Sequence, residues 1–120
     1  VFAFIKRKLR ERSETNRIRD RVAFDEEGVM RTMANGQVEG VRWDDLVRVE
    51  IMTTDNGPFV DDVFWLLSAE DHGCAVPSES EGMLALLERL QELPGFDDEA
   101  VIRAMGCTDN ELFEVWSRRG

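Results

Sequence analysis

Cysteine is scarce in this chain. Cys74 and Cys107 are its only two, and their separation fits no metal-binding spacing. Small secreted domains are usually richer in cysteine, because disulfides replace a core they are too small to build. Both residues are therefore read as reduced, packed thiols in a reducing, cytoplasmic compartment. Histidine is scarcer still: His72 stands alone in Asp71-His72-Gly73, a hairpin-turn sequence. No nucleophile is placed with it, so it reads as a solvated turn residue rather than a catalytic base. A Cys74–His72 nucleophile pair is the weaker reading. No apolar run approaches the ~20 residues that cross a bilayer. No phosphate-binding glycine loop, dinucleotide fingerprint or nucleophile elbow occurs. Internal repeats and low-complexity tracts are also missing.

What is present is an acidic chain of 120 residues with a formal charge of −10. That length makes one domain with a core of its own. The charge is unevenly placed. Through Arg21 there are eight Lys/Arg against three Asp/Glu, and after it seven against twenty-two. Such a body repels phosphate backbones, so nucleic acid is not an expected partner. It favours solubility and basic partners.

Val1 to Arg12 places Phe2, Ile5 and Leu9 on one helical face, with Lys6, Arg7, Lys8 and Arg10 filling the rest. A basic amphipathic helix like this can lie on an anionic membrane or dock on its own domain; docking or fraying is favoured because the stripe is short. The order of charge and apolar residues does not fit a signal peptide. A mature cytoplasmic N-terminus is expected, with the flank of a membrane helix as the lesser alternative.

Strand signals follow. Arg21–Asp25 should point Val22 and Phe24 inward, with a turn at Glu26-Glu27-Gly28 and a second strand over Val29–Ala34. Asn35-Gly36 predicts a type I′ hairpin. In the third strand, Gln37–Trp43, Gly40 suggests a bulge that turns both Val38 and Val41 to the core. Asp44-Asp45 makes a corner. Val47, Val49 and Ile51 then alternate with Arg48, Glu50 and Met52. The next run, Val63–Ala69, is apolar on both faces and so should be covered on both. Asp71-His72-Gly73 turns into a sixth strand, Cys74–Val76, ended by Pro77.

Helical punctuation closes the chain. Ser78-Glu79-Ser80-Glu81 fits a capping box before the stripe Met83, Leu86, Leu87, Leu90, with Leu84 beside it. Asp97 caps a second helix buried through Val101, Ala104 and Met105, with Phe96 placed to staple onto Val101. Thr108-Asp109-Asn110-Glu111 resembles another capping box, and Leu112, Val115 and Trp116 have the spacing of a third helix. These last two helices mimic a helix-turn-helix, but Asp109, Glu111 and Glu114 are acidic where phosphates would lie. An αα-hairpin on the sheet is expected instead.

Strands first and helices last imply α+β with an antiparallel sheet. The pattern Phe24-Asp25-x-x-Gly28, Val41-x-Trp43-x-Asp45-Leu46-x-x-Val49, then an apolar fifth strand, resembles small bacterial PH-like domains. Thr53-Thr54-Asp55-x-Gly57-Pro58, Asp62-Val63-Phe64-Trp65, Gly95-Phe96-Asp97 and Ala104-Met105-Gly106 are similar to a family of small proteobacterial proteins with no established activity. The resemblance covers about residues 20–93. It implies a bent, six-stranded antiparallel meander, a partial barrel capped by a helix. A C-terminal helical hairpin over 94–120 and a basic N-terminal helix and linker over 1–19 would flank it. The basic cluster used for phosphoinositides in eukaryotic PH domains is absent here, since that turn is Glu26-Glu27-Gly28, so lipid-headgroup binding is not implied.

The stretch between the fourth and fifth strands holds the candidate site. Asp55, Phe59, Asp61 and Asp62 put one aromatic among acids, an anchor arrangement common at protein interfaces. Against this, Asp55-Asn56-Gly57-Pro58 is turn chemistry and Phe59 can fold back as a lid. The loop lacks EF-hand spacing. The adjacent pairs Asp44-Asp45 and Asp61-Asp62 do not face each other as an acid/base pair would. No cofactor, metal or catalytic residue is expected. The sequence is read as a non-enzymatic module, of immunity or adaptor type, that binds a basic protein as a monomer or homodimer. The alternative is a peripheral membrane module anchored by residues 1–12.

Overall fold

The computed structural model describes residues 20–55 and 63–119. The expected N-terminal helix and linker lie outside the described residues, as do Phe59, Asp61 and Asp62. Strands β1 (Arg21–Phe24), β2 (Gly28–Thr32) and β3 (Val38–Arg42) pair antiparallel in the order β1-β2-β3. Strands β4 (Arg48–Thr53), β5 (Val63–Ser68), β6 (Gly73–Pro77) and β7 (Glu111–Ser117) form a second antiparallel sheet in the order β6-β5-β4-β7. Helices α1 (Met83–Leu90) and α2 (Asp98–Met105) come between β6 and β7 in the chain.

The α+β class stands, but the single six-stranded meander is corrected to two sheets of three and four strands. The chain leaves β3 through the Asp44-Asp45 corner, where Asp45 N and Leu46 N both donate to Arg42 O at 3.0 Å. β4 therefore never pairs with β3. Its free edge is taken by β7 instead. The expected C-terminal helical hairpin is corrected with it, because its second helix is β7. A bulge explains the false helical period. Val49 pairs with Trp116 and Glu50 with Glu114, so Val115 is the extra residue, and both Val115 and Trp116 are buried. Two consecutive inward residues imitate the i+3, i+4 spacing of a helix. The supposed capping box becomes a strand lead-in: Thr53 Oγ1 donates to Asp109 O at 2.7 Å and Asp55 N to Asn110 Oδ1 at 3.3 Å.

The core sits between the sheets and is closed by the helices. Val22, Val29 and Val41 face it from the first sheet. Val49, Ile51, Trp65, Leu67 and Val76 face it from the second. Helix α1 adds Met83, Leu86, Leu87 and Leu90, as its stripe predicts, and α2 adds Ala100, Val101, Ala104 and Met105. Asp97 caps α2 by accepting from Ala100 N at 3.0 Å. Helix α1 has no side-chain cap; it starts after Gly82, at φ 92°, and Ser78, Glu79 and Ser80 are buried instead of capping. Three smaller expectations also change. Asn35 has no positive φ, and Met33 N donates to Gln37 O while Gly36 N donates to Met33 O, so the hairpin loop has three residues rather than a type I′ pair. The β2–β3 register runs through Gly40 without a bulge, which leaves Val38 exposed. Phe24 is not buried but stands edge-on to Trp43, with ring centroids 6.3 Å apart.

Between β3 and β6, side chains replace a backbone ladder. Glu39 Oε1 accepts from Ala75 N at 2.9 Å, and Arg31 Nη1 donates to Ala75 O at 2.6 Å. Arg31 also bridges Glu39 (3.1 Å) and Asp20 (3.3 Å). This one β2 residue therefore ties β3, β6 and the lead-in to β1 together. Arg31→Ala should lower stability by about 2–3 kcal/mol, since hydrogen bonds to charged groups contribute ~1.5–3 kcal/mol each and two part-buried carboxylates lose their counter-ion. Urea unfolding measures it. Arg31→Lys should recover little, because an ammonium lacks the fork that reaches these acceptors together.

Candidate functional site

Residues paired across an antiparallel ladder share a face. Since Val22, Val29 and Val41 point inward, the rows Ala23–Met30–Gly40 and Gly28–Arg42 point outward. Two of these five positions carry no side chain, and no larger one could fit as the backbone stands. A Cβ on Gly40 would lie 2.8 Å from Val29 O, and one on Gly28 would collide with Val41 O. The result is an open groove of about 480 Å³ floored by Ala23, Gly28, Gly40 and Met30, of which Met30 is 54% exposed.

Acids line its rim in two groups. Phe24, Asp25 and Glu27 come from the end of β1 and the turn after it; Arg42, Asp45 and His72 come from β3, the corner after it and the β5–β6 turn. The groups are neighbours, since Trp43 N donates to Glu27 O at 2.9 Å. The first group is held rigidly. Asp25 Oδ1 accepts from Glu27 N (2.8 Å) and Gly28 N (3.1 Å). These bonds, that from Glu27 first, hold the Asp25 carboxyl below its ordinary range, so it keeps its charge. Trp43 Nε1 donates to Asp25 O at 2.8 Å, and the Arg89 guanidinium lies 4.3 Å over the Trp43 ring. Phe24 is thereby braced from behind. The second group is fixed by the C-terminal Arg118, whose Nε donates to Leu46 O and whose Nη2 donates to Trp43 O and Asp44 O.

His72 is exposed in the β5–β6 turn, with Nδ1 2.7 Å from Asp71 Oδ1. That bond draws the Asp71 carboxyl down. Cys74, two residues on, is buried, and its Sγ donates to Glu39 O at 3.9 Å. Burial, with Glu39 close by, pushes this thiol up to about 12, against the opposing pull of Arg31. A thiolate nucleophile does not form there near neutral pH. Among the described residues no group of three or more His, Cys, Asp or Glu converges as a metal site would require. No described helix is long and apolar enough to cross a membrane.

The sequence-based candidates fall elsewhere. Asp55 is exposed just beyond β4. Asp45 precedes β4 and Asp55 follows it, so Asp45 at the groove and Asp55 lie at opposite ends of a strand about 20 Å long. Phe59, Asp61 and Asp62 are outside the described residues. Sequence reading missed Met30, Gly28 and Gly40 as a unit because their nearness comes from register. The one available signal was the pair of glycines, Gly28 and Gly40, within strand-like runs. No family model, curated protein or solved structure matches this chain.

Proposed function

We propose that this protein is a non-enzymatic, cytoplasmic binding module that takes a basic protein segment into the groove on the outer face of β1-β2-β3. One observation carries the reading: an open apolar floor large enough for an aliphatic or aromatic side chain, rimmed by the three acids Asp25, Glu27 and Asp45 against one arginine, Arg42. Apolar burial supplies affinity and the carboxylates select and orient a flanking Lys or Arg. An adaptor or immunity role fits such a surface. Partner binding through Asp55, Phe59, Asp61 and Asp62 is the competing reading; the groove is preferred because floor and charge occur together there.

Labelled synthetic peptides that place Leu or Phe between Lys and Arg test it by fluorescence anisotropy. They should bind with an affinity that falls as salt rises. Charge-reversed peptides should not bind, and Met30→Arg should weaken binding at least tenfold, roughly 1.4 kcal/mol. Equal affinity for basic and acidic peptides, or an unaffected Met30→Arg, overturns the reading.

A further inference from the structure

The second sheet also has an outer face, and its composition asks for a cover. Register aligns Leu112, Met52, Phe64 and Pro77 in one row across all four strands, with Glu114, Glu50, Leu66 and Ala75 in the next. Leu112 is 55% exposed, and Met52, Phe64 and Leu66 are half-buried. None of these four belongs to the core, whereas the buried residues of both described helices do. Both helices therefore serve the inner face. A strand such as β5, apolar on both sides, normally has a layer on each.

We infer that residues 1–12 of this same chain form that layer, seating Phe2, Ile5 and Leu9 on Met52, Phe64 and Leu66. Position supports it. The chain enters the described structure at Asp20, whose carboxylate is bound to Arg31 Nη2, while Arg31 Nη1 is bound to Ala75 O on β6. The entry point thus stands at the edge of this sheet. Residues 13–19 can span up to about 24 Å, and four strands are about 14 Å across. Size fits as well, since a helix with its side chains is about 10 Å wide. Charge agrees at the far strand, where Lys6, Arg7, Lys8 and Arg10 would meet the exposed Glu114; Glu50 beside it is already bound to Arg48 at 3.0 Å. A second copy would bring −10 against −10, and a membrane would draw the apolar stripe off the sheet.

The test uses the full chain and the double variant Ile5→Asp with Leu9→Asp, with retained dispersion of the Val22, Ile51 and Leu87 core signals showing that the variant folds. Amide and methyl NMR spectra are compared with wild type. The expected result is shifts concentrated at Met52, Phe64, Leu66 and Leu112, loss of the cross-peaks between the Ile5 and Met52 methyls, and unchanged Met30 and Gly40. Shifts confined to residues 1–19 would overturn the inference. So would shifts at Met30 and Gly40, which would place the segment in the groove. Concentration-dependent sedimentation would assign the face to a second copy. Wild-type co-sedimentation with vesicles of equal phosphatidylcholine and phosphatidylglycerol, abolished in the variant while the sheet signals stay fixed, would assign residues 1–12 to a membrane.

Discussion

Gly82→Ala is expected to be the most damaging conservative substitution in the chain. Gly82 has φ 92°, where a Cβ costs about 1–2 kcal/mol. That Cβ would also drive into Val22 O, a backbone atom that cannot rotate away. Relief requires α1 and β1 to separate at the point where they are tied. Val22 N donates to Glu81 O at 2.8 Å and Glu81 N donates to Asp20 O at 3.0 Å. With each such bond worth about 1 kcal/mol net, the total loss is about 3–4 kcal/mol. That is a large part of the ~5–15 kcal/mol typical of a domain. Denaturant unfolding should show a much lower midpoint with an unchanged slope. A loss under about 1 kcal/mol would mean that α1 does not enter through this left-handed turn.

Trp65→Ala ranks beside it. Trp65 is fully buried at the centre of the row Ile51–Trp65–Val76, so truncation should cost about 3–5 kcal/mol, part lost transfer energy and part cavity. Trp65→Phe should cost much less. The indole N–H finds no acceptor among the described residues, so phenylalanine removes a buried donor without breaking a bond. Thermal unfolding of the two variants separates packing from polarity. Equal losses would show that the N–H is bonded after all.

Much of this fold was legible because local rules and tertiary structure agree. All six strands before the helices lie where alternation and turn residues put them, and the stripe of α1 and the Asp97 cap of α2 are as written. Legibility failed where the deciding contact is remote. Leu112, Val115 and Trp116 carry a helical period, yet the vacant edge of β4 recruits them as a strand and a bulge absorbs the mismatch. Ser78–Glu81 carries cap residues, yet pairing of Glu81 with β1 claims that backbone first. The groove was illegible for the same reason. Gly28, Met30 and Gly40 are unremarkable in sequence and become a floor only when three strands align. Asp55 was singled out as one of the acids around Phe59, and it stands at the other end of β4 from that floor.

The central claim is that the groove face of β1-β2-β3 is where this protein meets its partner. Titrating isotope-labelled full-length protein with a peptide that places Leu between Lys and Arg tests it most directly, by mapping which amides move. The account predicts a patch comprising Ala23, Gly28, Met30, Gly40 and Arg42, absent with the charge-reversed peptide. Shifts centred on Asp55 and its loop, or on Phe64 and Leu112, with the groove silent, would contradict it.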